Sequence, residues 1–355
     1  MFGQPLLYAA LALALVLALI LPVRKLALKA GLTDAPGGRK EHEGEIPLIG
    51  GLVLFPVFIV CSVLVGDGFA THWPLYTALL VLLSVGVVDD RVQLHSFTKF
   101  GLQFVAAALI VLPGGAELHQ LGNLFGFGDF GLGFMSIPFS IIAVVLLINA
   151  INLMDGLDGL AGGVSFIILG WFLIACLMFG ETVFSPSLMI LMAALAGFLF
   201  YNLRTPLRKK AAVFLGDAGS MCLGLMIGWY AIHLSLEPVR VMEPMSVAWV
   251  MALPIWDECA QFNRRVREGR HPFSPDRGHF HHHFIQAGVA SGTAVSMIFG
   301  IVLIMGFFGI VGINVVPLPI LTLVWIIGIL AHIASSKDLE IYPALISKLL
   351  KRSAE

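Results

Sequence analysis

Residues 141–160 read IIAVVLLINAINLMDGLDGL, so a long apolar run ends directly in a polar segment. A second apolar run, residues 164–179, follows almost at once. Between the two runs, amide and carboxylate side chains recur at every third position, at Asn149, Asn152, Asp155 and Asp158. The pattern predicts two membrane helices joined by a segment that places four polar groups where a helix leaves the membrane.

A straight helix cannot aim all four of these side chains at one ligand. Positions three residues apart fall about 60° short of a full turn on a helix with 3.6 residues per turn, so the first and last side chains point in opposite directions. Gly156 and Gly159 allow the chain to bend, and the bent segment then suits a metal ion or a phosphate. The alternative is a polar loop that only reverses the chain, since most loops carry no chemistry.

The composition is that of a membrane protein. The chain has 355 residues, is 58% hydrophobic and 12% charged, and has a mean hydropathy of +0.94. Repeated apolar runs of about 18 or more residues indicate membrane helices. We therefore expect an all-α, polytopic protein with one membrane-embedded domain over residues 1–355. Eleven spans are predicted, at residues 4–22, 46–66, 72–88, 97–113, 134–151, 161–179, 185–203, 218–234, 244–262, 292–312 and 317–335.

The charged residues predict the orientation. If the eleven spans alternate, all of the 21 Lys and Arg residues except Arg240 lie at one membrane face. Positively charged residues mark the cytoplasmic side of a membrane. We expect the N-terminus outside, the C-terminus inside and a location in the cytoplasmic (inner) membrane. The cytoplasmic tail, residues 336–355, either lies on the anionic inner leaflet or forms a solvated helix.

Two acidic motifs fall on the same predicted side as the 149–160 segment. Asp89 and Asp90 end the third span, and adjacent carboxylates are tolerated most easily beside a cation; the alternative is an exposed turn. Asp217 lies between two glycines at the start of the eighth span. There the backbone can approach a ligand closely and the helix N-terminus favours an anion. The alternative for Asp217 is a capping role.

A histidine run, residues 279–283, also falls on this side and reads HFHHH. Zinc sites recruit ligands from separated positions in tetrahedral geometry, and contiguous histidines cannot all reach one ion. Asp276 and Arg277 precede the run, and an arginine suits bidentate contact with a phosphate. The run therefore predicts a phosphate- or sugar-binding loop, with metal binding by a histidine-rich tract as the alternative.

Together these groups suit one kind of chemistry. Carboxylates and amide oxygens for a hard cation, with Arg, Lys and His for phosphate, fit Mg²⁺-assisted phosphoryl transfer between a soluble nucleotide and a lipid. An ion-coupled membrane transporter is a rival, but it requires acidic groups in the middle of its spans. A structural membrane protein is the second rival, and it has no need of one-sided clusters of Asp, Asn and His.

Five motifs follow one another along nearly the whole chain: RKEHEGEIPLIGG at 39–51, DD at 89–90, NAINLMDGLDGL at 149–160, FLGDAGS at 214–220 and PDRGHFHH at 275–282. They resemble the polyprenyl-phosphate N-acetylhexosamine-1-phosphate transferases. The last motif is similar to the branch that uses UDP-N-acetylglucosamine and undecaprenyl phosphate, with the phospho-N-acetylmuramoyl-pentapeptide transferase branch as the alternative. One position departs from the family's Asp-Asp-x-x-Asp pattern, because its third place is Gln93, which argues against a strict three-carboxylate metal site.

The resemblance implies transfer of a sugar 1-phosphate from a UDP-N-acetylhexosamine to undecaprenyl phosphate at the cytoplasmic face. UMP is then released and a cell-envelope glycan, such as lipopolysaccharide or a cell-wall polymer, is begun. The expected cofactor is Mg²⁺, or Mn²⁺ in its place. Membrane lipid is an expected partner and nucleic acid is not, and the choice between a monomer and a homodimer stays open.

The resemblance also implies roles for individual residues. Asp89 and Asp90 orient or deprotonate the acceptor, and Asp217 and Asn152 hold the metal ion. The remaining set is expected to bind substrate: Lys40, His42, Lys99, Asn149, Asp155, Asp158, Asp276, Arg277, His279, His281 and His282. Among these, Lys99 stands where the family often has a basic residue near the donor's phosphates.

Overall fold

The computed structural model describes residues 3–34, 45–66, 69–205, 208–270 and 278–352. These residues fold almost entirely as helices, which confirms the expected all-α class. The helices are α1 Gly3–Ala30, α2 Gly50–Val65, α3 Phe69–Val92, α4 Ser96–Val111, α5 Ser136–Leu153, α6 Leu160–Phe179, α7 Ser185–Asn202, α8 Gly216–His233, α9 Pro244–Val250, α10 Ala252–Arg267, α11 Phe280–Gln286, α12 Ser291–Ile310, α13 Leu318–Ser335 and α14 Ile341–Arg352. One short antiparallel pair, β1 Thr33–Asp34 and β2 Ile46–Pro47, accompanies them.

Seven segments in the described part of the chain are long and apolar enough to cross a membrane, so the protein is a multi-pass membrane protein. They contain α1, α3, α5, α6, α7, α12 and α13, while α2 and α4 are apolar but shorter. Each of the eleven predicted spans coincides with helical structure. The number of crossings and the orientation stay predictions.

Helix α8 is the centre of the bundle and is buried on nearly every side. It packs against α2, α3, α5 and α6. Small residues make this close packing feasible: a methyl group at Gly86 would lie 2.2 Å from the Ala218 backbone, and one at Gly51 would lie 2.4 Å from the Gly219 backbone. Membrane helices commonly associate through such small residues. Gly219, which follows Asp217 in the FLGDAGS motif, thus contributes to helix packing.

The predicted span 244–262 is two helices, because α9 ends at Val250 and α10 begins at Ala252. Met251 between them has φ −101° and ψ 14°, outside the helical range. Pro254 has no backbone N–H for the carbonyl of Val250, four residues earlier, so the helical hydrogen-bond ladder is interrupted there. The break separates α9 from α10, whose polar residues include the buried Asp257.

Candidate active site

Four helix ends meet at one end of the bundle and bring the acidic motifs together. α3 and α5 end there, and α4 and α8 begin there. Backbone hydrogen bonds fix the approach to α8: the N–H of Gly50 donates to the Phe214 carbonyl at 2.9 Å, and that of Gly51 donates to the Leu215 carbonyl at 3.0 Å. The start of α2 therefore holds the segment that leads into Asp217.

Lys99 lies at the centre of this cluster. Its Nζ is 2.7 Å from Asp217 Oδ2 and 2.8 Å from Asp89 Oδ2, and it donates to Asn152 Oδ1 at 3.3 Å. A single ammonium group thus neutralises carboxylates from α3 and α8. A shared positive charge of this kind offsets the electrostatic repulsion between neighbouring carboxylates.

Asn152 joins the end of α5 to the start of α8. Its Nδ2 donates to Asp217 Oδ1 at 2.8 Å and to Ser220 Oγ at 2.9 Å. Both oxygens of Asp217 therefore have partners, one in Lys99 and one in Asn152. The structure brings together Asn152 and Asp217, the two residues expected to hold a metal.

Asp89 and Asp90 differ in what their oxygens contact. Asp89 Oδ1 accepts the backbone N–H of Leu94 at 2.6 Å, and its other oxygen faces Lys99. Asp90 Oδ1 accepts the backbone N–H of Asp217 at 3.2 Å. Asp90 Oδ2 is buried and has no hydrogen-bond partner among the described residues. Of Asp89, Asp90 and Asp217, Asp90 is thus the residue whose second carboxylate oxygen has no hydrogen bond within the described segments.

The cluster suits an oxygen-preferring cation by its donor chemistry. Asp217, Asp89 and the Asn152 side chain supply carboxylate and amide oxygens, the ligand types of Mg²⁺, and the orphaned Asp90 oxygen adds an acceptor. No group of three or more His, Cys, Asp and Glu side chains in the described segments is arranged to hold a metal. The cluster therefore combines few carboxylates with an amide and with the cation of Lys99.

The 149–160 segment separates its four polar residues, as the helix geometry requires. Asn149 Nδ2 donates to Gln103 Oε1 at 2.7 Å, away from Asn152. Asp158 Oδ2 accepts from Arg204 Nε at 2.7 Å and from the Ala211 backbone at 3.2 Å, so this carboxylate ties the α7–α8 connection in place. Gly159 has φ +81°, which provides the expected bend.

Asp155 has a different environment from Asp158. Desolvation by the surrounding protein, with the negative charges of Asp217, Asp90 and Asp158, raises the pKa of Asp155 well above its usual range. The negative charges of the acidic cluster therefore disfavour ionisation of Asp155.

The histidine run forms the short helix α11, and His279 precedes it. His279 Nδ1 lies 3.1 Å from Asp257 Oδ2, and its Nε2 lies 3.1 Å from Arg265 Nη2. His279 and His281 are buried, while His282 is half-buried with its ring centroid 4.1 Å from that of His281. The three predicted histidines therefore lie close together at the start of α11.

His281 connects this helix to the 149–160 segment. A methyl group at Gly156 would lie 2.4 Å from His281 Nε2, so the imidazole occupies the space that a side chain at position 156 would need. Burial lowers the pKa of His281 to about 3, and its ring is neutral at pH 7. Its Nε2 has no hydrogen-bond partner within the described ranges. Gly156 is needed for this contact, whereas Gly159 is the glycine that bends the chain.

Four predicted substrate-binding residues lie outside the described residues: Lys40, His42, Asp276 and Arg277. Their expected roles stay predictions. The last two immediately precede Gly278, the first described residue of the histidine segment. A methyl group at Gly278 would lie 1.9 Å from Arg264 Nη2, so a guanidinium group packs directly on the backbone there.

The structure adds residues that the sequence did not reveal. Gln103 binds Asn149, Arg204 pairs with Asp158, and Asp257 contacts His279. The available signal was weak: Gln103 and Asp257 are polar residues inside predicted spans, and such residues require a partner when buried. Neither position could be matched to its partner without the packing of the helices.

The profile of glycosyl transferase family 4 matches residues 72–235, which run from α3 to the end of α8. Undecaprenyl-phosphate alpha-N-acetylglucosaminyl 1-phosphate transferase of Yersinia pestis is 32% identical over 304 residues, 85% of this chain and 83% of the relative. The protein of that name from Haemophilus influenzae is 34% identical, with 82% of each chain covered. That of Escherichia coli (strain K12) is 34% identical over 78% of this chain and 75% of its own.

Proposed function

This chain belongs to glycosyl transferase family 4, and we propose that it transfers N-acetylglucosamine 1-phosphate from UDP-N-acetylglucosamine to undecaprenyl phosphate. It is a sugar-phosphate transferase embedded in a membrane. The observation that carries the proposal is the meeting of Asp89, Lys99 and Asp217 at 2.7–2.8 Å within the matched region. Such a cluster of opposite charges at the helix ends suits a pyrophosphate beside a lipid phosphate.

The proposed reaction exchanges one phosphoanhydride bond for another. An oxygen of the lipid phosphate attacks the phosphorus attached to the sugar, and the bond between that phosphorus and the bridging oxygen breaks. UMP leaves, and a lipid-linked pyrophosphoryl sugar remains. A phosphate monoester has a second pKa of about 6, so the acceptor is mostly dianionic at pH 7. Positioning and charge neutralisation therefore matter more than proton removal.

The chain's own residues supply that positioning. Asp90, whose Oδ2 is free of hydrogen bonds within the described residues, is proposed to face the acceptor and to take up a proton that the phosphate still carries. Asp89, held by the Leu94 N–H and by Lys99, is proposed to orient the α3–α4 turn. When the donor binds, the Lys99 ammonium group is proposed to move from the carboxylates to the donor's phosphates.

A magnesium ion is part of the proposal. Asp217 and Asn152 would hold it, since an oxygen of the Asp217 carboxylate and the amide oxygen of Asn152 both lie around the Lys99 ammonium group. When bound, Mg²⁺ would neutralise charge on the pyrophosphate oxygens. Mn²⁺ prefers the same ligand types and could replace it. The cluster's donor chemistry supports this assignment.

The donor is proposed to lie between the histidine helix and the 149–160 segment. His281 is a neutral imidazole with an unpartnered Nε2 within the described ranges, next to Gly156. His279 and His282 are proposed to contact the sugar and the pyrophosphate with it. Asn149, Asp155 and Asp158 shape the nucleotide side. Lys40, His42, Asp276 and Arg277 complete the proposed set.

We place this site on the cytoplasmic side of the inner membrane, in a protein that crosses the membrane eleven times. The charge distribution supports this orientation, since Arg240 alone among 21 Lys and Arg residues is predicted outside. A cytoplasmic site is also where a soluble nucleotide donor is available.

The test is an assay of purified protein with undecaprenyl phosphate and a panel of UDP-sugars, following UMP release. We expect release with UDP-N-acetylglucosamine and little with UDP-glucose. Turnover only with UDP-N-acetylmuramoyl-pentapeptide would move the chain to the other branch of the superfamily. The absence of UMP with every donor would contradict the proposed function.

A further inference from the structure

The histidine helix α11 begins against a carboxylate from another helix. Asp257 of α10 lies 3.1 Å from His279 Nδ1 and accepts the backbone N–H of Phe280 at 3.0 Å. His279, the residue before the helix, makes no capping hydrogen bond with its own side chain. Asp257 is 2% exposed and therefore takes the place of a local cap from across the fold.

Helices α13 and α14 also contact Asp257 and the start of α11. His332 of α13 has its Nε2 3.8 Å from Asp257 Oδ1, and its Nδ1 lies 2.6 Å from the hydroxyl of Tyr342 in α14. The Phe280 ring meets both of these rings edge-on, with centroids 5.6 Å and 5.5 Å away. The C-terminal helix is thus joined to the first residue of the histidine helix.

The histidine helix needs such support because it is short. α11 has seven residues, about two turns, and isolated helices of that length are unstable in water. Its second residue is His281, whose ring lies against Gly156 of the 149–160 segment. A shift at the Asp257 end would therefore move the imidazole that faces the proposed donor site.

We propose that Asp257 is a positioning residue for the histidine helix, and that Tyr342 extends this support to the C-terminal helix through His332. The inference rests on the proposed function, since it takes the histidine helix as a donor-binding element. Donor affinity is then set partly by α14, which contacts no substrate. Acceptor binding and the chemical step depend on the Lys99 cluster and are separate from this support.

The first experiment removes only the Tyr342 hydroxyl. Tyr342→Phe keeps the ring contacts but loses the bond to His332, and a hydrogen bond of this kind corresponds to roughly a two- to tenfold change in an equilibrium. We expect the KM for UDP-N-acetylglucosamine to rise by about that factor, with kcat and the KM for undecaprenyl phosphate unchanged. Backbone hydrogen exchange over residues 278–290 should become faster.

Tyr201→Phe is the matched control. Its hydroxyl donates to the Leu17 carbonyl at 3.0 Å, between α7 and α1, outside the Asp257 network. This variant loses one tyrosine hydrogen bond of similar length. We expect it to leave the donor KM and the exchange of residues 278–290 at wild-type values.

Asp257→Asn tests the centre of the support. Asparagine keeps an oxygen for the Phe280 N–H but loses the negative charge beside His279, so the donor KM should rise more than in Tyr342→Phe. Because the two residues act on one helix, the double variant should raise the KM by less than the product of the single effects. If Asp257→Asn does not fold, the Tyr342→Phe comparison decides alone.

Two results would overturn the inference: wild-type donor KM and wild-type exchange in Tyr342→Phe, or a fall in kcat with donor KM unchanged. Failure of the proposed function would look different, since the wild-type protein would then transfer nothing. In that case the exchange of residues 278–290 in Tyr342→Phe still decides whether the support exists.

Discussion

The ammonium group of Lys99 lies 2.7 Å from Asp217 Oδ2, although 118 residues separate the two in the chain. The same Nζ lies 2.8 Å from Asp89 Oδ2. Lys99 is 19% exposed and the carboxylates are 11% and 33% exposed, so solvent screens these pairs only in part. In the substrate-free site, the Lys99 ammonium group therefore partly neutralises the Asp89 and Asp217 carboxylates.

Replacing Lys99 with Gln should lower transfer activity by roughly tenfold or more, because two close carboxylates lose their shared counter-charge. Lys99→Arg keeps the charge and should retain part of the activity. Lys337→Gln, an exposed lysine between α13 and α14, is the control and should behave as wild type. Wild-type turnover in Lys99→Gln, measured as UMP release, would remove this lysine from the mechanism.

Asp217→Asn and Asp90→Asn should respond differently to Mg²⁺. Asp217→Asn loses charge at the proposed metal position, so its activity should return in part at high Mg²⁺. Asp90→Asn acts on the acceptor, and extra Mg²⁺ should leave its deficit unchanged.

The pH dependence of Asp90→Asn separates two roles. If Asp90 removes a proton, the deficit should shrink as the pH rises well above about 6, where the lipid phosphate ionises unaided. If it only positions the acceptor, the deficit should stay constant. Rescue of Asp90→Asn but not of Asp217→Asn by Mg²⁺ would show that the two assignments are reversed.

Gly156→Ala should reduce both activity and thermal stability, because the new methyl group would lie 2.4 Å from His281 Nε2. Either the imidazole or the 149–160 segment must move. Gly300→Ala in α12 is the control, since a methyl group there meets no atom within 4 Å among the described residues, and alanine is the better helix former. Equal melting temperatures and activities for the two variants would mean that the His281 contact carries no function.

Cysteine labelling tests the orientation of the protein. Phe127 is 96% exposed in the α4–α5 connection, and Lys337 is exposed between α13 and α14. In a Cys259→Ser background, Phe127→Cys should react with a membrane-impermeant maleimide applied to intact cells, and Lys337→Cys only after permeabilisation. Reaction of both from the same side would contradict the predicted alternation.

The sequence was informative where polar residues end apolar runs. Asp89, Asn152 and Asp217 stand out there, and the structure brings all three to the same cluster. The position of Lys99 between these three side chains could not be predicted from the sequence, because it depends on how α4 packs against α8. Helix packing in a membrane is decided by small residues such as Gly51 and Gly86, whose partners are distant in sequence.

The contacts that support the histidine helix could not be predicted from the sequence for a related reason. Asp257 falls inside the predicted span 244–262, where an acidic residue has no assigned partner. The break at Met251 and the fold of residues 278–286 bring His279 to it from 22 positions away. A pattern of apolar runs locates spans, but it does not report which buried polar groups meet.

The proposed enzyme transfers the sugar together with its phosphate, and a donor labelled with ³²P on the sugar-linked phosphate reports this transfer. Purified protein would be incubated with this UDP-N-acetylglucosamine and undecaprenyl phosphate, and the lipid and aqueous phases counted separately. We expect the label to move into the lipid phase in step with UMP release, and Asp217→Asn to abolish the transfer at low Mg²⁺. Label that stays in the aqueous phase as UDP, while sugar enters the lipid, would contradict this expectation.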